Sequence, residues 1–210
     1  MRTQVIAIQD PEALEKAVQL LEAGGLVAFP TDTVYGLGAH TSLPQAVERI
    51  YQVKGRPFGK AIPLLLDGAQ SLHHVADDIP PAARILTKRF WPGPLTLVLR
   101  RRPAVPDIVT GGGPTVAVRV PDHAFTLTLL AAVGVPLATT SANLTGHPDS
   151  KTAQEVAHYL EGRIDLILDG GRCPGGMPST VIDVTKTPPV VVRAGAISRQ
   201  ELEKELASLR

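Results

Sequence analysis

The stretch "YQVKGRPFGK" (51–60) puts three cations in seven positions, Lys54, Arg56 and Lys60, spaced by Gly55, Pro57 and Gly59. Cations on a stiff, kinked segment suit a polyphosphate, whose oxygens take charge-assisted hydrogen bonds. Lys54 has a second explanation, because the last turn of a helix favours a cation without any ligand. Arg56 and Lys60 have no such account. Two other segments supply uncharged donors and acceptors. "PTDTVYGLG" (30–38) sets two threonines, Asp32 and Tyr35 beside two glycines, and "TTSANLTG" (139–146) places hydroxyls at 139, 140, 141 and 145 around Asn143. Such groups can wall a small ligand, phosphate or ribose, or simply bond their own backbone in turns and caps. Arg119 in "TVAVRVP" and Arg193 in "VVVRAG" sit among apolar neighbours. A guanidinium there stays charged and needs a partner, either an acidic side chain or a ligand carboxylate.

Several chemistries are excluded by what is missing. "GRCPGGMPST" lacks the lysine of a nucleotide P-loop, and "GLGAHT" lacks the third glycine of a dinucleotide fingerprint. The six histidines have no metal spacing, and His73 and His74, being adjacent, read as surface residues. "RRR" (100–102) reads as a solvated strand end. With no Ser-His-Asp pattern and no cysteine nucleophile, the expected chemistry works by positioning and charge stabilisation, as in phosphoryl or nucleotidyl transfer.

Strands and helices must hold these loops. Apolar runs "QVIAI", "LVAFP", "IPLLL", "LTLVL", "TVAVRV" and "PLATT" alternate with amphipathic patterns, which predicts an α/β domain. Asp10 and Pro11 predict a helix start, as does the Ser42/Gln45 spacing of a capping box. That second helix turns Val47, Ile50 and Val53 inward and stops at Gly55. Thr152/Glu155 and Ser198/Glu201 predict two more helix caps. Glycine and proline gather where strands end, which is where open α/β sheets bind ligands. "TGGGPT" and "DGGRCPGGMPS" are candidate mobile covers.

With 21 basic and 20 acidic residues the net charge is +1, so phosphate recognition has to be local rather than a property of the whole surface. One cysteine, Cys173, excludes an internal disulfide framework and a cysteine-based zinc cluster, and fits a reducing cytosol. The most apolar region is interrupted by Gly134 and Pro136 and is too short to span a bilayer. One domain over residues 1–210, in a soluble cytoplasmic protein, is the expectation.

In order along the chain, "PTDTVYGLG", "KGRPFGK", "WPGPLTLVL", "TVAVRVP", "TSANLTG", "PSTVIDVT" and "VVRAG" resemble the YrdC-like family, whose characterised members are threonylcarbamoyl-adenylate synthases. The likeness runs from about residue 10 to 196. It implies a twisted, open, mixed α/β sheet flanked by helices around a central cavity. It also implies a reaction: L-threonine and bicarbonate (or CO2) give an N-carboxylated threonine, whose carbamate oxygen attacks the α-phosphate of ATP and releases pyrophosphate. A separate transferase complex then passes the threonylcarbamoyl group to the adenosine beside the anticodon of tRNA.

Carried over by position, the family's Lys-x-Arg and Ser-x-Asn motifs fall on Lys54, Arg56, Ser141 and Asn143, the catalytic set implied by the resemblance. ATP contacts fall on Arg56, Lys60, Thr115, Ser141 and Arg193. The threonine pocket falls on Thr33, Arg119, Thr139 and Ser179, with Arg119 on the carboxylate. Mg²⁺ would accompany the phosphates, with no protein side chain as its dedicated ligand. Two positions depart from the pattern of some members: Asp149 stands for a serine near the nucleotide, and Leu65 for a threonine-site histidine. Longer members add a C-terminal domain, so the chain resembles the short, single-domain type. Two other readings accompany the fold: an RNA-binding paralogue without catalysis, and a carbamoyl-transfer domain of hydrogenase maturation proteins, which belongs to much longer chains.

Overall fold

A computed structural model describes residues 2–207. Its strands are β1 (Gln4–Ala7), β2 (Val27–Phe29), β3 (Gly36–His40), β4 (Leu64–Leu65), β5 (Leu95–Arg100), β6 (Thr115–Arg119), β7 (Leu137–Ser141), β8 (Leu166–Asp169), β9 (Thr180–Asp183) and β10 (Val190–Arg193). They join in one mixed sheet, ordered β1-β8-β2-β3-β7-β4-β6-β5-β9-β10. The helices are α1 (Ala13–Glu22), α2 (Pro44–Lys54), α3 (Leu72–Val75), α4 (Pro81–Phe90), α5 (Asp107–Thr110), α6 (Ala124–Val133), α7 (Ala153–Leu160) and α8 (Arg199–Leu206).

Alternation along the strands divides the core between the two faces of the sheet. In β2, Val27 and Phe29 join one apolar cluster and Ala28 the other; in β8, Leu166 and Leu168 part from Ile167 in the same way. The smaller cluster lies under α1 and α6, with Ala13, Ala17 and Leu21 against Leu129, Leu130 and Val133. The larger one takes Val47, Ile50 and Tyr51 of α2 and Leu86 of α4. Among the described residues, no helix is long and apolar enough to cross a membrane.

Local signals settle several ends. Thr152 and Ser198 cap α7 and α8, the latter with a full capping box to Glu201. Gly55, at φ 59°, terminates α2 in the left-handed conformation. Two predicted starts are corrected. Asp10 accepts the Glu12 N–H at 2.9 Å in a side-chain turn, and α1 begins only at Ala13. The Ser42/Gln45 box does not form: Leu43 occupies the cap, without a side-chain bond, and Pro44 opens the helix. Proline at that position is preorganised for the first turn and needs no cap of its own. Val53 is only partly buried, whereas Lys54 is buried beside Tyr51. "IPLLL" shrinks to a two-residue strand.

β3 was not foreseen, because glycines occupy Gly36 and Gly38. They are absent side chains rather than a phosphate loop. A Cβ on Gly36 would lie 2.9 Å from Thr139 Cγ2, and one on Gly38 2.6 Å from Phe29 Cε1. Both glycines pair with β7, Gly36 opposite Ser141 and Gly38 opposite Thr139. This close packing carries β7, and with it the Ser-x-Asn segment, against the centre of the sheet. His73 and His74 are exposed, as expected, yet their ring centroids lie 3.8 Å apart.

Candidate functional site

A cavity of about 420 Å³ opens over the central strands. Ten of the eleven residues that the sequence singled out line it: Thr33, Lys54, Arg56, Lys60, Arg119, Thr139, Ser141, Asn143, Ser179 and Arg193. Thr115 is not on its wall; it starts β6 opposite Arg100. Both departing positions do line it: Leu65 is buried in β4, and Asp149 is the one acidic residue among the described residues on the wall.

One end of the cavity is built from hydroxyls and a buried guanidinium. Arg119, 7% exposed, donates from Nε to the Gly93 carbonyl (3.0 Å), from Nη1 to Thr33 Oγ1 (2.9 Å) and from Nη2 to Asp32 Oδ1. The acidic partner is therefore present, and two of the five N–H groups of the guanidinium remain for a ligand. Burial works against the Arg119 charge, and Asp32 supports it. Asp32 is held in turn by the Asp122 N–H at 3.0 Å. The Thr31–Val34 turn bonds itself, Thr31 Oγ1 donating to the Val34 carbonyl (2.7 Å) and accepting the Thr33 N–H (3.1 Å). The segment is thus a self-bonded turn that also lines the cavity.

Ser179 joins this end through two residues. Its Oγ lies 2.8 Å from Thr96 Oγ1 and accepts from Arg193 Nη2 at 3.1 Å, while its carbonyl accepts from Arg193 Nη2 (2.7 Å) and Nε (3.3 Å). A bulge in β10 aims that arginine. Val190 and Val191 pair with Asp183 and Ile182, but Arg193 pairs with Val181, which leaves Val192 as the extra residue. Thr96 escaped the sequence reading; one threonine within "LTLVL" was its only trace.

The other end is cationic. Arg56 folds onto its own loop, Nε to the Lys60 carbonyl (3.2 Å) and Nη2 to the Ala61 carbonyl (2.7 Å), which leaves Nη1 open. The Tyr51 hydroxyl supports the loop by donating toward the carbonyls of Lys60 (3.1 Å) and Ile108 (2.8 Å). Lys60 is exposed. Burial weighs against the charge of Arg193, and Asp149 offsets this. Lys54 is pushed down to about 8, first by burial and then by Arg56, with Asp149 opposing. Asp149 thus supports the charge of both Lys54 and Arg193. Ser141 Oγ donates to Asn143 Oδ1 (2.7 Å), and Asn143 Nδ2 donates to the His147 carbonyl (2.6 Å).

Tyr35, a further residue of the wall, accepts the Gly170 N–H at 3.1 Å and donates to the Gly171 carbonyl at 2.8 Å. Burial pushes its hydroxyl up to about 12, so it stays protonated. "RRR" carries no part of the site. Arg101 pairs with Asp107 at 2.6 Å, and Arg102 donates to the His73 carbonyl at 3.0 Å.

Known proteins resemble this chain in sequence and fold. The threonylcarbamoyl-AMP synthase of Pyrococcus abyssi is 45% identical over 194 residues, 92% of this chain and 57% of that protein. The Bacillus subtilis threonylcarbamoyl-AMP synthase is 42% identical over 202 residues, 96% of this chain and 58% of that one. The chain thus spans a little over half the length of these relatives. Its fold superposes on P. abyssi Sua5 complexed with L-threonine at a TM-score of 0.93 and 42% identity, covering 98% of this chain and 61% of that one. The family model Sua5/YciO/YrdC, described as "Telomere recombination", matches residues 19–195. On that match and those identities, the chain belongs to the Sua5/YciO/YrdC family.

Proposed function

We propose that this chain is an L-threonylcarbamoyladenylate synthase, a nucleotidyltransferase that works on L-threonine, bicarbonate (or CO2) and ATP. One observation carries the reading: a single cavity joins a cationic end (Arg56, Lys60, Arg193) to a hydroxyl end closed by a buried arginine (Thr33, Thr139, Ser179, Arg119). The names of the relatives and the threonine-bound neighbour support it. They also favour catalysis over the RNA-binding reading.

In this reading the threonine carboxylate meets the two open N–H groups of Arg119, a planar fork that lysine does not reproduce. Thr33, Thr139 and Ser179 surround the rest of the amino acid. Its amine, carboxylated by CO2, becomes a carbamate, and the carbamate oxygen bonds to the α-phosphorus as the bond to the pyrophosphate oxygen breaks. No side chain acts as nucleophile. Arg56, Lys60 and Arg193 offset the charge that builds on the leaving pyrophosphate. Among the described residues no cluster of three His, Cys, Asp or Glu side chains could cage a metal ion. Mg²⁺ commonly travels on phosphates with one or two carboxylates, so the residues present fit it: Asp149 is the group that would meet it, and the ion would supply further neutralising charge. The product goes to a threonylcarbamoyl-transferase complex that modifies tRNA, in the cytoplasm.

The test is pyrophosphate release from ATP, Mg²⁺ and bicarbonate, with and without L-threonine, with the adenylate identified by mass spectrometry. Release that requires both threonine and bicarbonate is expected; binding of ATP without turnover would refute the catalytic reading. Arg56→Ala is expected to lower kcat/KM for ATP by roughly tenfold to a hundredfold, the worth of one charge-assisted bond. Gly195→Ala tests the other end. Its Cβ would lie 2.4 Å from the Pro178 carbonyl oxygen and 2.5 Å from the Ser179 carbonyl carbon and the Thr180 nitrogen. Backbone atoms must move, so Ser179 shifts, and kcat/KM for threonine should fall on the order of a hundredfold, with a smaller loss for ATP through the Arg193 bonds to Ser179.

A further inference from the structure

An ammonium group has three N–H donors, and for Lys54 one loop supplies three acceptors. These are the Ser141 carbonyl at 2.5 Å, the Asn143 carbonyl, and Asn143 Oδ1 at 3.3 Å. The main chain closes the same junction from the other side, since the Thr145 N–H donates to the Lys54 carbonyl at 3.0 Å. No N–H on Nζ is left for a phosphate oxygen. Lys54 is 4% exposed although it lines the cavity. Turning toward a ligand would mean abandoning these bonds. The Ser141 carbonyl would keep Thr140 Oγ1 (3.2 Å) and Asn143 Oδ1 would keep Ser141 Oγ, but the buried Asn143 carbonyl would lose its donor, which is costly. The neighbouring cations differ: Arg56 keeps Nη1 open and Lys60 is exposed.

We propose that Lys54 is a positioning residue rather than a phosphate ligand: it clamps the loop that follows β7 (142–145) to the end of α2 and so fixes Asn143 at the cavity wall beside Ser141. Its charge is needed because three oxygens converge on one point, much as they would around a bound cation. Without it, their partial charges repel and the loop opens. Ser141, the last residue of β7, adds a bond from its Oγ to Asn143 Oδ1 at 2.7 Å, and the Ala142 N–H donates to the Tyr35 carbonyl at 2.8 Å. Those bonds hold the start of the loop to the sheet; the Lys54 side chain ties it to α2. The clamp is a property of the free protein; only its consequence for phosphate chemistry rests on the synthase reading.

Amide hydrogen exchange over residues 142–146, measured without nucleotide, tests it directly. In Lys54→Met, exchange there should accelerate at least tenfold, the scale of a lost charge-assisted bond, while the central strands stay protected. Lys54→Arg keeps the charge but not the compact head, and should loosen the loop as well. Unchanged exchange in Lys54→Met, together with ATP binding weakened tenfold or more, would overturn the clamp in favour of direct phosphate contact. So would full recovery of ATP binding by arginine. The wild-type protein gives a second measurement should the variants fail to fold. With acetic anhydride, Lys60 should be acetylated at least tenfold faster than Lys54, and ATP should shield Lys60 alone. Equal rates, with ATP shielding both lysines, would refute the proposal. Absence of ATP binding would count against the synthase reading and leave the exchange result to decide the clamp.

Discussion

Arg119→Ala is expected to abolish threonine-dependent adenylate formation and to destabilise the fold. Arg119 and Asp32 are an ion pair whose side chains are 8% and 11% exposed. Removing one partner of such a pair leaves a buried charge uncompensated and costs about 3–5 kcal/mol. For a chain of this size that lowers Tm on the order of 10 °C. Gly93 and Thr33 lose their donor at the same time, so the β2–β3 turn loosens too. Stability and recognition can be separated. Arg119→Met combined with Asp32→Asn removes both charges and should recover much of the Tm, because a buried pair replaced as a whole is often nearly neutral. It should not recover use of threonine, which needs the fork. Thermal unfolding and pyrophosphate release on both variants check this; threonine-dependent turnover in the double variant would refute the carboxylate role of Arg119.

Arg193→Ala should injure both ends of the cavity at once. Its charge is supported by Asp149, yet the side chain donates twice to the Ser179 carbonyl and once to its hydroxyl. KM is expected to rise roughly tenfold to a hundredfold for ATP, by loss of a charge-assisted bond, and several-fold for threonine, because Ser179 keeps only Thr96 as a side-chain partner. Arg193→Lys should restore part of the ATP term and little of the threonine term, since a point charge cannot make the forked contact. Adding Ser179→Ala to Arg193→Ala measures the link: contacting residues couple by about 0.5–3 kcal/mol. Strict additivity in steady-state kinetics would mean that the arginine serves the nucleotide alone.

What could be read from the sequence was local or ordered along the chain. Helix ends at Thr152, Ser198 and Gly55 depend on bonds within four residues, and they formed as expected. Ser42 failed for a reason just as local, since the proline at 44 already starts the turn. The α/β class followed from apolar runs and amphipathic patterns, and the mixed sheet from the resemblance. Motif order pointed to the family, and ten of its eleven singled-out residues meet on one wall. Strand β3 stayed hidden because its glycines carry no period; they are explained only by Phe29 and Thr139 lying against them.

Tertiary structure alone decided what each charged group does. Arg119 finds Asp32 across 87 residues, and Lys54 finds the Ser141 carbonyl across the same separation. Spacing in the chain left Lys54 open between a helix-end cation and a phosphate ligand; folding made it the centre of three oxygens. Arg193 reaches Ser179 because one extra residue in β10 shifts its register, and Asp149 supports the cations because the fold brings it to the same cavity wall. The reason is physical: a charge's role depends on its partners and on how much water is excluded around it. Both quantities are set by chain segments far away in sequence.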